Sequence, residues 1–396
     1  MAFRHQLAAY SPVTAGAVLS GTSGAFGIGA DPRLDLAGVL SHDYGADEVV
    51  LCGSGTQALQ LAIQIAACRR ADESTVALPA FSCFDVAAAA VGAGLPIALY
   101  DIDPVTLGPD AASLERTLAA GARICVIATL YGVPCDFEPL ETLATAYGAT
   151  LIEDAAQGHG ASFNGRPLGT LAQLSTLSFG RGKGWTGGSG GALLLRGSAA
   201  SIPRQVLRAA PWGAELRGIA VLLAQWVLGR PGVYGLPRSI PALKLGETTY
   251  HEPRPPVAMT RVASKAALAN RAASAAEGRR RRETARHILA ALPTPGTMTV
   301  RIPPGAEAGY LRFPIRSTRS VERIGSHPAA RRLGLERSYP CTLGDLDVVR
   351  RRLVGPDSFW PGAKSLVERL LTAPTHSLLT DSERAAVAAI LCDLGS

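Results

Sequence analysis

The sequence has 396 residues, of which 47% are hydrophobic and 18% are charged, a composition that excludes a disordered chain and predicts a packed globular protein. Its net charge of +7 comes mostly from scattered arginines, and the one dense run, residues 279–282, is expected to form a solvated helix face. Since no RNA- or DNA-binding motif accompanies this charge, no nucleic-acid partner is predicted.

The seven cysteines show no metal-ligand spacing, and several lie in apolar runs such as residues 124–127. We therefore predict no metal site and expect reduced, mostly buried thiols. No long apolar segment follows Arg4 and His5, so no signal peptide is predicted and the protein is expected to be cytoplasmic.

Short apolar runs alternate with helical patterns in the first half of the chain. Helices are predicted over residues 56–70, from 84, over 110–120 and over 136–147, and strands over 49–52, 75–79, 96–100, 123–129, 150–153, 174–179 and 191–195. This alternation implies an α/β fold whose large, mostly parallel seven-stranded sheet carries helices on both faces. In such sheets the active site lies at the carboxyl ends of the strands.

The pattern changes beyond residue 200. The apolar stretch 218–229 is shorter than the ~20 residues that a bilayer requires, so it predicts a buried helix or an oligomer contact, with contact to a membrane surface as the alternative. The proline-rich residues 230–256 predict a loop or linker, and a long helix over 260–292 and a strand at 310–315 follow. The predicted domains are a large one at 1–256 and a smaller C-terminal α/β domain at 257–396.

Three segments at predicted strand ends contain side chains suited to chemistry. In the first, residues 53–56, small residues at the start of a helix allow a ligand to approach the backbone. The N–H groups and the helix dipole favour an anion there, and the hydroxyls of Ser54 and Thr56 add hydrogen-bond donors. A plain turn with a helix N-cap explains the same residues.

The second segment is an apolar strand that ends in Glu153 and Asp154. Because side chains alternate across a strand, one carboxylate is expected at the active edge and the other in a different environment. In the third segment, residues 178–191, Lys183 stands among glycines between two strands. A lysine that must reach a cofactor within tight turns needs this backbone freedom, although an incidental lysine in a glycine loop is the alternative.

Together these segments match the requirements of pyridoxal phosphate. They offer an anion site for its phosphate, a carboxylate for its pyridine nitrogen and an amine for its aldehyde. A carboxylate at the nitrogen keeps it protonated, so that the ring can accept electrons from a substrate carbanion.

The order and spacing of five motifs resemble those of the DegT/DnrJ/StrS aminotransferases, most strongly over residues 47–195. The motifs are SGT-x-AL at 54–59, P…D-x-D at 79–103, Tyr131-Gly132, EDAAQ at 153–157 and S-F-x-x-x-K at 178–183. The resemblance implies the aspartate-aminotransferase fold, known as fold type I. It also implies a homodimer that builds each active site from two subunits and acts mostly on nucleotide-linked keto-sugars.

Carried over by position, the resemblance implies that Lys183 forms the Schiff base and that Asp154 pairs with the pyridinium nitrogen. It implies Gln157 near the 3-hydroxyl of the ring, and a cofactor-binding set that also comprises Ser54, Gly55, Thr56 and Ser178. The residue stacked on the ring falls at Cys83 or its neighbour Phe84, and Thr129 replaces a histidine that is common in the family. Tyr131 and Arg181 are the candidates for substrate binding.

The predicted function is therefore transfer of an amino group from a donor such as glutamate to a carbonyl acceptor, by family default a nucleotide-linked keto-sugar. The usual Gly-Asn-x-Arg segment is not recognisable, which leaves open a non-sugar or hydrophobic acceptor. Decarboxylation or carbon–carbon bond formation with the same cofactor is the alternative within the fold. A non-catalytic regulator or scaffold is the alternative from a different class.

Overall fold

The structure is a computed structural model that describes residues 4–27, 29–68, 74–201, 206–238, 248–292, 298–318, 320–322, 327–356 and 358–393. Its α-helices are α1 (Ala15–Ala25), α2 (Pro32–Tyr44), α3 (Gly55–Cys68), α4 (Phe84–Ala93), α5 (Ala111–Ala119), α6 (Glu138–Ala146), α7 (Trp212–Leu228), α8 (Pro231–Arg238), α9 (Arg261–Ala291), α10 (Pro328–Arg332), α11 (Asp347–Arg350), α12 (Pro361–Arg369) and α13 (Asp381–Asp393). Its strands are β1 (Glu48–Cys52), β2 (Thr75–Pro79), β3 (Ile97–Tyr100), β4 (Ala122–Ala128), β5 (Thr150–Asp154), β6 (Ser162–Phe163), β7 (Arg166–Pro167), β8 (Leu174–Ser178), β9 (Gly191–Leu195), β10 (Ala306–Glu307), β11 (Phe313–Arg316), β12 (Glu336–Arg337) and β13 (Leu370–Ala373).

The large sheet confirms the predicted fold class. Its seven strands lie in the order β1-β9-β8-β5-β4-β2-β3, and the five strands from β8 to β3 are parallel, whereas β9 pairs antiparallel with both β1 and β8. Neighbouring residues of β2 point into separate cores, Val76 and Leu78 into one and Ala77 into the other. Because both faces are covered, these strands are continuous apolar runs.

Helix α7 includes most of the apolar stretch 218–229 and is only partly buried, so the prediction of a buried helix there is corrected. Glu215 attaches α7 to the start of α9 by accepting hydrogen bonds from the backbone N–H groups of Arg261 (2.9 Å) and Val262 (3.0 Å). The opposite side of α7 exposes Trp212, Leu216, Leu223 and Val227. No helix in the described part of the chain is long and apolar enough to cross a bilayer.

The proline-rich region 230–256 is also partly helical, because α8 occupies its first residues. Pro231 stands at the first position of α8, where a missing N–H costs nothing and the fixed φ angle suits a helix. The prediction of a loop is therefore wrong for residues 231–238, while residues 239–247 lie outside the described part of the chain.

Helix α9 joins the two halves of the molecule. Its first part packs against α1 and α2, and Ala285 and Ile288 near its end join the core of the small sheet β11-β13-β12. The predicted boundary at 256/257 stays a prediction. Arg281 on α9 is fully buried, so the expected solvated face at residues 279–282 is corrected at this position.

Candidate active site

A cavity with about 480 Å³ of empty space lies at the carboxyl ends of β5 and β8, beside the starts of α3 and α4. Its position is the one expected for the active site of a parallel sheet. The lining residues are Gly55, Thr56, Leu59, Ser82, Cys83, Asp85, Val86, Ala128, Thr129, Leu130, Asp154, Ala156, Gln157, Ser178 and Lys183.

The start of α3 forms one wall of this cavity. The Ser54 hydroxyl accepts a hydrogen bond from the Gln57 N–H (3.2 Å), as an N-cap does, whereas Thr56 and Ser178 line the cavity. A Cβ atom at Gly55 would lie 2.7 Å from the Ser178 Cβ, so only glycine lets the helix start approach β8 this closely. The wall therefore presents a helix N-terminus and two hydroxyls, a combination that suits a phosphate.

The adjacent carboxylates at the end of β5 lie on opposite faces of the sheet, as strand alternation predicts. Glu153 is fully buried and accepts hydrogen bonds from the N–H groups of Gly169 (2.6 Å) and Leu171 (2.8 Å) and from the Ser175 hydroxyl (3.0 Å). Asp154 faces the cavity instead. Glu153 thus organises the turn before β8, and Asp154 is the carboxylate available to a ligand.

Asp154 is held in place without a complete set of partners. Its Oδ1 accepts hydrogen bonds from the Ala156 N–H (3.1 Å) and the Thr176 hydroxyl (3.3 Å). Burial raises the pKa of this carboxyl, and the positive charge of Lys183 opposes that rise. A cation placed beside Asp154 would therefore be bound favourably.

The glycines around Lys183 are needed by the backbone. Gly182 has φ 73° and Gly188 has φ 86°, in the left-handed region that disfavours other residues. The loop is anchored through its main chain, since the Ser11 hydroxyl donates to the Lys183 carbonyl oxygen at 2.6 Å. The Lys183 side chain itself lines the cavity.

Gln157 reaches the cavity in a fixed orientation. Its Oε1 accepts a hydrogen bond from the Tyr131 N–H (3.1 Å), and its Nε2 donates to the Tyr339 hydroxyl (3.0 Å). Tyr131 stacks on Tyr339, with ring centroids 6.3 Å apart, and its hydroxyl is hydrogen-bonded to Ser338. The Tyr131 side chain is buried and does not line the cavity, so its assignment to substrate binding stays a prediction.

The two candidates for ring stacking differ in position. Cys83 lines the cavity, and burial raises the pKa of its thiol to about 12, which keeps the sulfur protonated. Phe84 lies in the hydrophobic core and contributes nothing to the cavity wall. The structure thus leaves Cys83 as the residue that can contact a ring.

Arg181 is exposed on the glycine-rich loop near Lys183. None of the ion pairs within the described part of the chain includes Arg181, so no acidic side chain there accounts for its charge.

Sequence reasoning missed Asp85, which lines the cavity together with the predicted residues. The signal was present, because Asp85 is the one charged residue in the otherwise apolar helix FDVAAAAVGA. Sequence reasoning also missed a second cavity beside the first. Residues 250–254 line one side of this second cavity. Nothing in the proline-rich pattern indicated that this segment returns to α3.

The model of the DegT/DnrJ/EryC1/StrS aminotransferase family matches residues 32–210. This match covers a little less than half of the chain, so it shows similarity to the family over these residues. L-glutamine:2-deoxy-scyllo-inosose aminotransferase from Streptoalloteichus tenebrarius is 34% identical over 165 residues, which cover 42% of this chain and 38% of that protein. A pleiotropic regulatory protein from Geobacillus stearothermophilus is 37% identical over 128 residues, 32% of this chain and 34% of that protein.

The matches therefore span between 34% and 44% of the length of the curated relatives. Structural similarity extends further. The sugar aminotransferase CalS13 from Micromonospora echinospora superimposes with a TM-score of 0.72 at 20% identity, over 97% of this chain and 98% of that one. The likeness covers both halves of the chain and shows that they share the fold of this enzyme.

Proposed function

We propose that the protein is a pyridoxal-phosphate-dependent aminotransferase that moves an amino group from an amino acid such as glutamate to the carbonyl group of a sugar-type acceptor. The observation that carries the proposal is the meeting of Lys183, Asp154 and the start of α3 around one cavity. These groups come from three separate segments, and each meets a different requirement of the cofactor. The match of residues 32–210 to the aminotransferase family model supports the same reaction class.

The residues present fit the cofactor. The start of α3, with Gly55 and Thr56, lines the cavity and suits an anion, and Asp154 is a partly buried carboxylate that a ring cation would stabilise. The Ser82 hydroxyl is buried at the cavity without a hydrogen-bond partner among the described residues, so it is available to a ligand. When bound, pyridoxal phosphate supplies an aldehyde that bonds to amines and a ring that accepts electrons.

The side chains of the chain then have distinct tasks. Lys183 presents its Nζ amine at the cavity, where the free amine would act as general base and acid and carry a proton between the substrate carbon and the cofactor's aldehyde carbon. Asp154 holds a positive charge at the ring nitrogen, and Gln157 offers an amide that Tyr131 and Tyr339 keep in one orientation. Leu59, Val86 and Leu130 make the remaining wall apolar and limit access of water.

Borohydride reduction followed by peptide mapping tests the proposal. We expect a yellow protein that turns over an amino donor, with the reduced cofactor attached to Lys183. Lys183→Ala should lower turnover on the order of 10³-fold or more, as for other groups that bond covalently. Lys265, whose Nζ donates to the Ser23 hydroxyl away from the cavity, provides the control Lys265→Ala with unchanged turnover.

A label on another lysine would contradict the assignment. A protein that never binds the cofactor would instead support a regulatory role, which the name of the Geobacillus relative keeps in view. A protein that binds the cofactor but releases carbon dioxide from the donor would indicate decarboxylation.

We further propose that the protein is a homodimer that buries the exposed face of α7. Phe26 and Trp212 lie side by side on this face, with ring centroids 6.3 Å apart, and Leu223 and Val227 extend it along the helix. An apolar surface of this kind marks an interaction site. Leu223→Glu should convert a dimer into a monomer in light scattering, and a wild-type protein that is an active monomer at micromolar concentration would overturn the proposal.

A further inference from the structure

We call the cavity that Lys183 and Asp154 line the cofactor cavity. Asp85 lies where this cavity meets the second cavity. The second cavity, with about 1050 Å³ of empty space, is lined by Ser54, Thr56, Gln57, Asp85, Tyr250, His251, Glu252, Pro253 and Arg254. Only Thr56 and Asp85 line both cavities. A molecule that extends from the cofactor cavity into the second cavity must therefore pass the Asp85 carboxylate.

This carboxylate has no cationic partner in the described part of the chain. The hydrogen bond that reaches it is a long one, 3.8 Å, from the Cys83 thiol to Oδ2. Asp85 also lies in the first turn of α4, where a negative charge interacts favourably with the helix dipole. That structural role needs the charge alone, and it does not explain why the carboxylate faces two cavities.

The charge of Asp85 determines which ligand groups can lie beside it. It raises the pKa of both the Asp154 carboxyl and the Cys83 thiol, so it acts on the interior of the cofactor cavity. A bound phosphate at the start of α3 would add further negative charge. A second anion next to Asp85 would be repelled, whereas hydroxyl or ammonium donors would be bound.

The remaining wall of the second cavity supplies further polar groups. The Tyr250 hydroxyl is buried and has no hydrogen-bond partner among the described residues. Arg254 and His251 also line this cavity, and both are exposed. Hydrogen-bonding groups thus line this cavity on the side of Asp85 and on the side of residues 250–254.

We propose that Asp85 is a specificity residue that accepts hydrogen bonds from the hydroxyl groups of a polyhydroxylated acceptor. This inference rests on the proposed function, because it concerns the acceptor of that reaction. It adds which side chain recognises the hydroxyl groups near the carbonyl that reacts.

The test compares Asp85→Asn and Asp85→Ala with the wild type in two measurements. Calorimetry with scyllo-inositol, a polyol that cannot react, measures binding without turnover. Kinetics with 2-deoxy-scyllo-inosose and with pyruvate measure the choice between a hydroxylated acceptor and one without hydroxyl groups. Glu141→Gln, which changes an exposed carboxylate on α6, is the matched control.

For Asp85→Asn we expect the Kd for scyllo-inositol and the KM for the inosose acceptor to rise tenfold or more, since hydrogen bonds to a charged group contribute about that much. The kcat/KM for pyruvate, which has no hydroxyl group for Asp85 to bind, should stay constant, and the visible absorbance of the cofactor should not change. Wild-type protein that fails to bind scyllo-inositol, or variants that bind it equally well, would overturn the inference.

Equal losses with both acceptors would also overturn it, since they indicate a structural role for Asp85. Failure of the proposed function is recognised separately. It would appear as absence of cofactor attachment or of turnover with any amino donor in the wild type, whereas polyol binding still reports on Asp85.

Discussion

Two groups of polar side chains adjoin the Lys183–Gly184 peptide and differ in what surrounds them. The first, around Asp154 and Gln157, borders the cofactor cavity. The second, which we call the buried cluster, comprises Glu277, Arg281 and His376, which are buried, and His159, which is partly buried. A Cβ atom at Gly184 would lie 2.6 Å from the His159 Cβ and 3.3 Å from the Arg281 Nη1, so the cluster lies directly against the loop.

The buried cluster binds protein main chain. The Arg281 guanidinium donates to the Tyr10 carbonyl oxygen. The His376 Nε2 atom lies 2.8 Å from the Leu7 carbonyl oxygen. Glu277 accepts hydrogen bonds from the N–H (2.8 Å) and the hydroxyl (2.6 Å) of Ser377. The contacts of Arg281 and His376 hold the N-terminal segment, and Ser11 of that segment binds the Lys183 carbonyl oxygen.

The comparison shows that the Lys183 loop has two kinds of polar neighbour. Groups at the cavity keep part of their hydrogen-bonding capacity for a ligand, while Arg281 and His376 in the cluster bind the backbone of Tyr10 and Leu7, next to the Ser11 that holds the Lys183 loop. Substitutions at the cavity should therefore change catalysis, and substitutions in the cluster should change stability.

The largest contrast is expected between Asp154 and its neighbour Glu153. Asp154→Asn should lower turnover by about 10²–10³-fold, the cost of removing one partner of a buried charge pair, with little change in the free energy of unfolding. Glu153→Gln should lower the free energy of unfolding by about 1–3 kcal/mol, because it disturbs three buried hydrogen bonds, while the folded enzyme remains active. Urea titration and steady-state kinetics measure both effects.

Near-normal turnover of Asp154→Asn would show that another group pairs with the ring nitrogen. A Glu153→Gln protein that is stable but inactive would reverse the assignment of the two carboxylates.

The buried cluster should make the protein sensitive to acid. Burial, together with the charge of Arg281, lowers the pKa of His159 and of His376 from the ordinary value of 6.5 to about 4. The unfolded chain therefore takes up protons first, so the stability is complete above pH 6.5 and is lost as the pH falls toward 4. Between pH 7.5 and 4.5, each of the two histidines should lower the free energy of unfolding by about 2–3 kcal/mol.

Urea unfolding at several pH values measures this loss, and His376→Gln should flatten the dependence by about half. Keeping the pH above 4.5 excludes Glu383, whose pKa of about 2 reflects its hydrogen bonds with Arg4 and Thr380 and whose contribution is lost only at lower pH. An unchanged slope in the variant would place the acid sensitivity elsewhere.

The smallest contrast is expected between the two arginines near Lys183. Arg181 is exposed on the loop, and we predict that it binds a substrate anion, so Arg181→Ala should raise the KM for donor or acceptor about tenfold, or about 1.4 kcal/mol. The cofactor absorbance should not change. Arg281→Ala should instead lower the melting temperature and leave both KM values unchanged.

Unchanged KM values together with lower stability in Arg181→Ala would show that this arginine is structural and that the substrate anion binds elsewhere. An altered KM in Arg281→Ala would show that the buried cluster also affects substrate geometry.

Much of the large domain was predictable because its signals are local. Each of the seven strands is an apolar run between turn residues, and the observed ends differ from the predicted ones by at most one residue. The separation of Glu153 from Asp154 follows from strand alternation alone. The glycines near Lys183 likewise indicate a backbone conformation that no other residue adopts easily.

Other features depend on contacts between distant segments. Arg281 belongs to a run of four arginines that is typical of a solvated helix face, yet residues 7–11 and 376–377 cover it. Phe84 and Cys83 are neighbours in a strand–helix turn, and only the direction of the turn sends one into the core and the other into the cavity. Residues 250–254 reach Asp85 across more than 160 positions of sequence.

The sequence by itself thus determined the order of the strands and the mostly parallel sheet, and it predicted the amine, the carboxylate and the anion-binding turn that line one cavity. Hydrophobic periodicity and backbone freedom act within a few residues, so they can be read locally. The tertiary structure decided which arginine is buried, that Asp85 borders two cavities and how the N-terminal segment holds the Lys183 loop. Those outcomes depend on packing between segments that are far apart in the chain. The burial and the electrostatic environment of a residue then depend on contacts that a local sequence pattern does not predict.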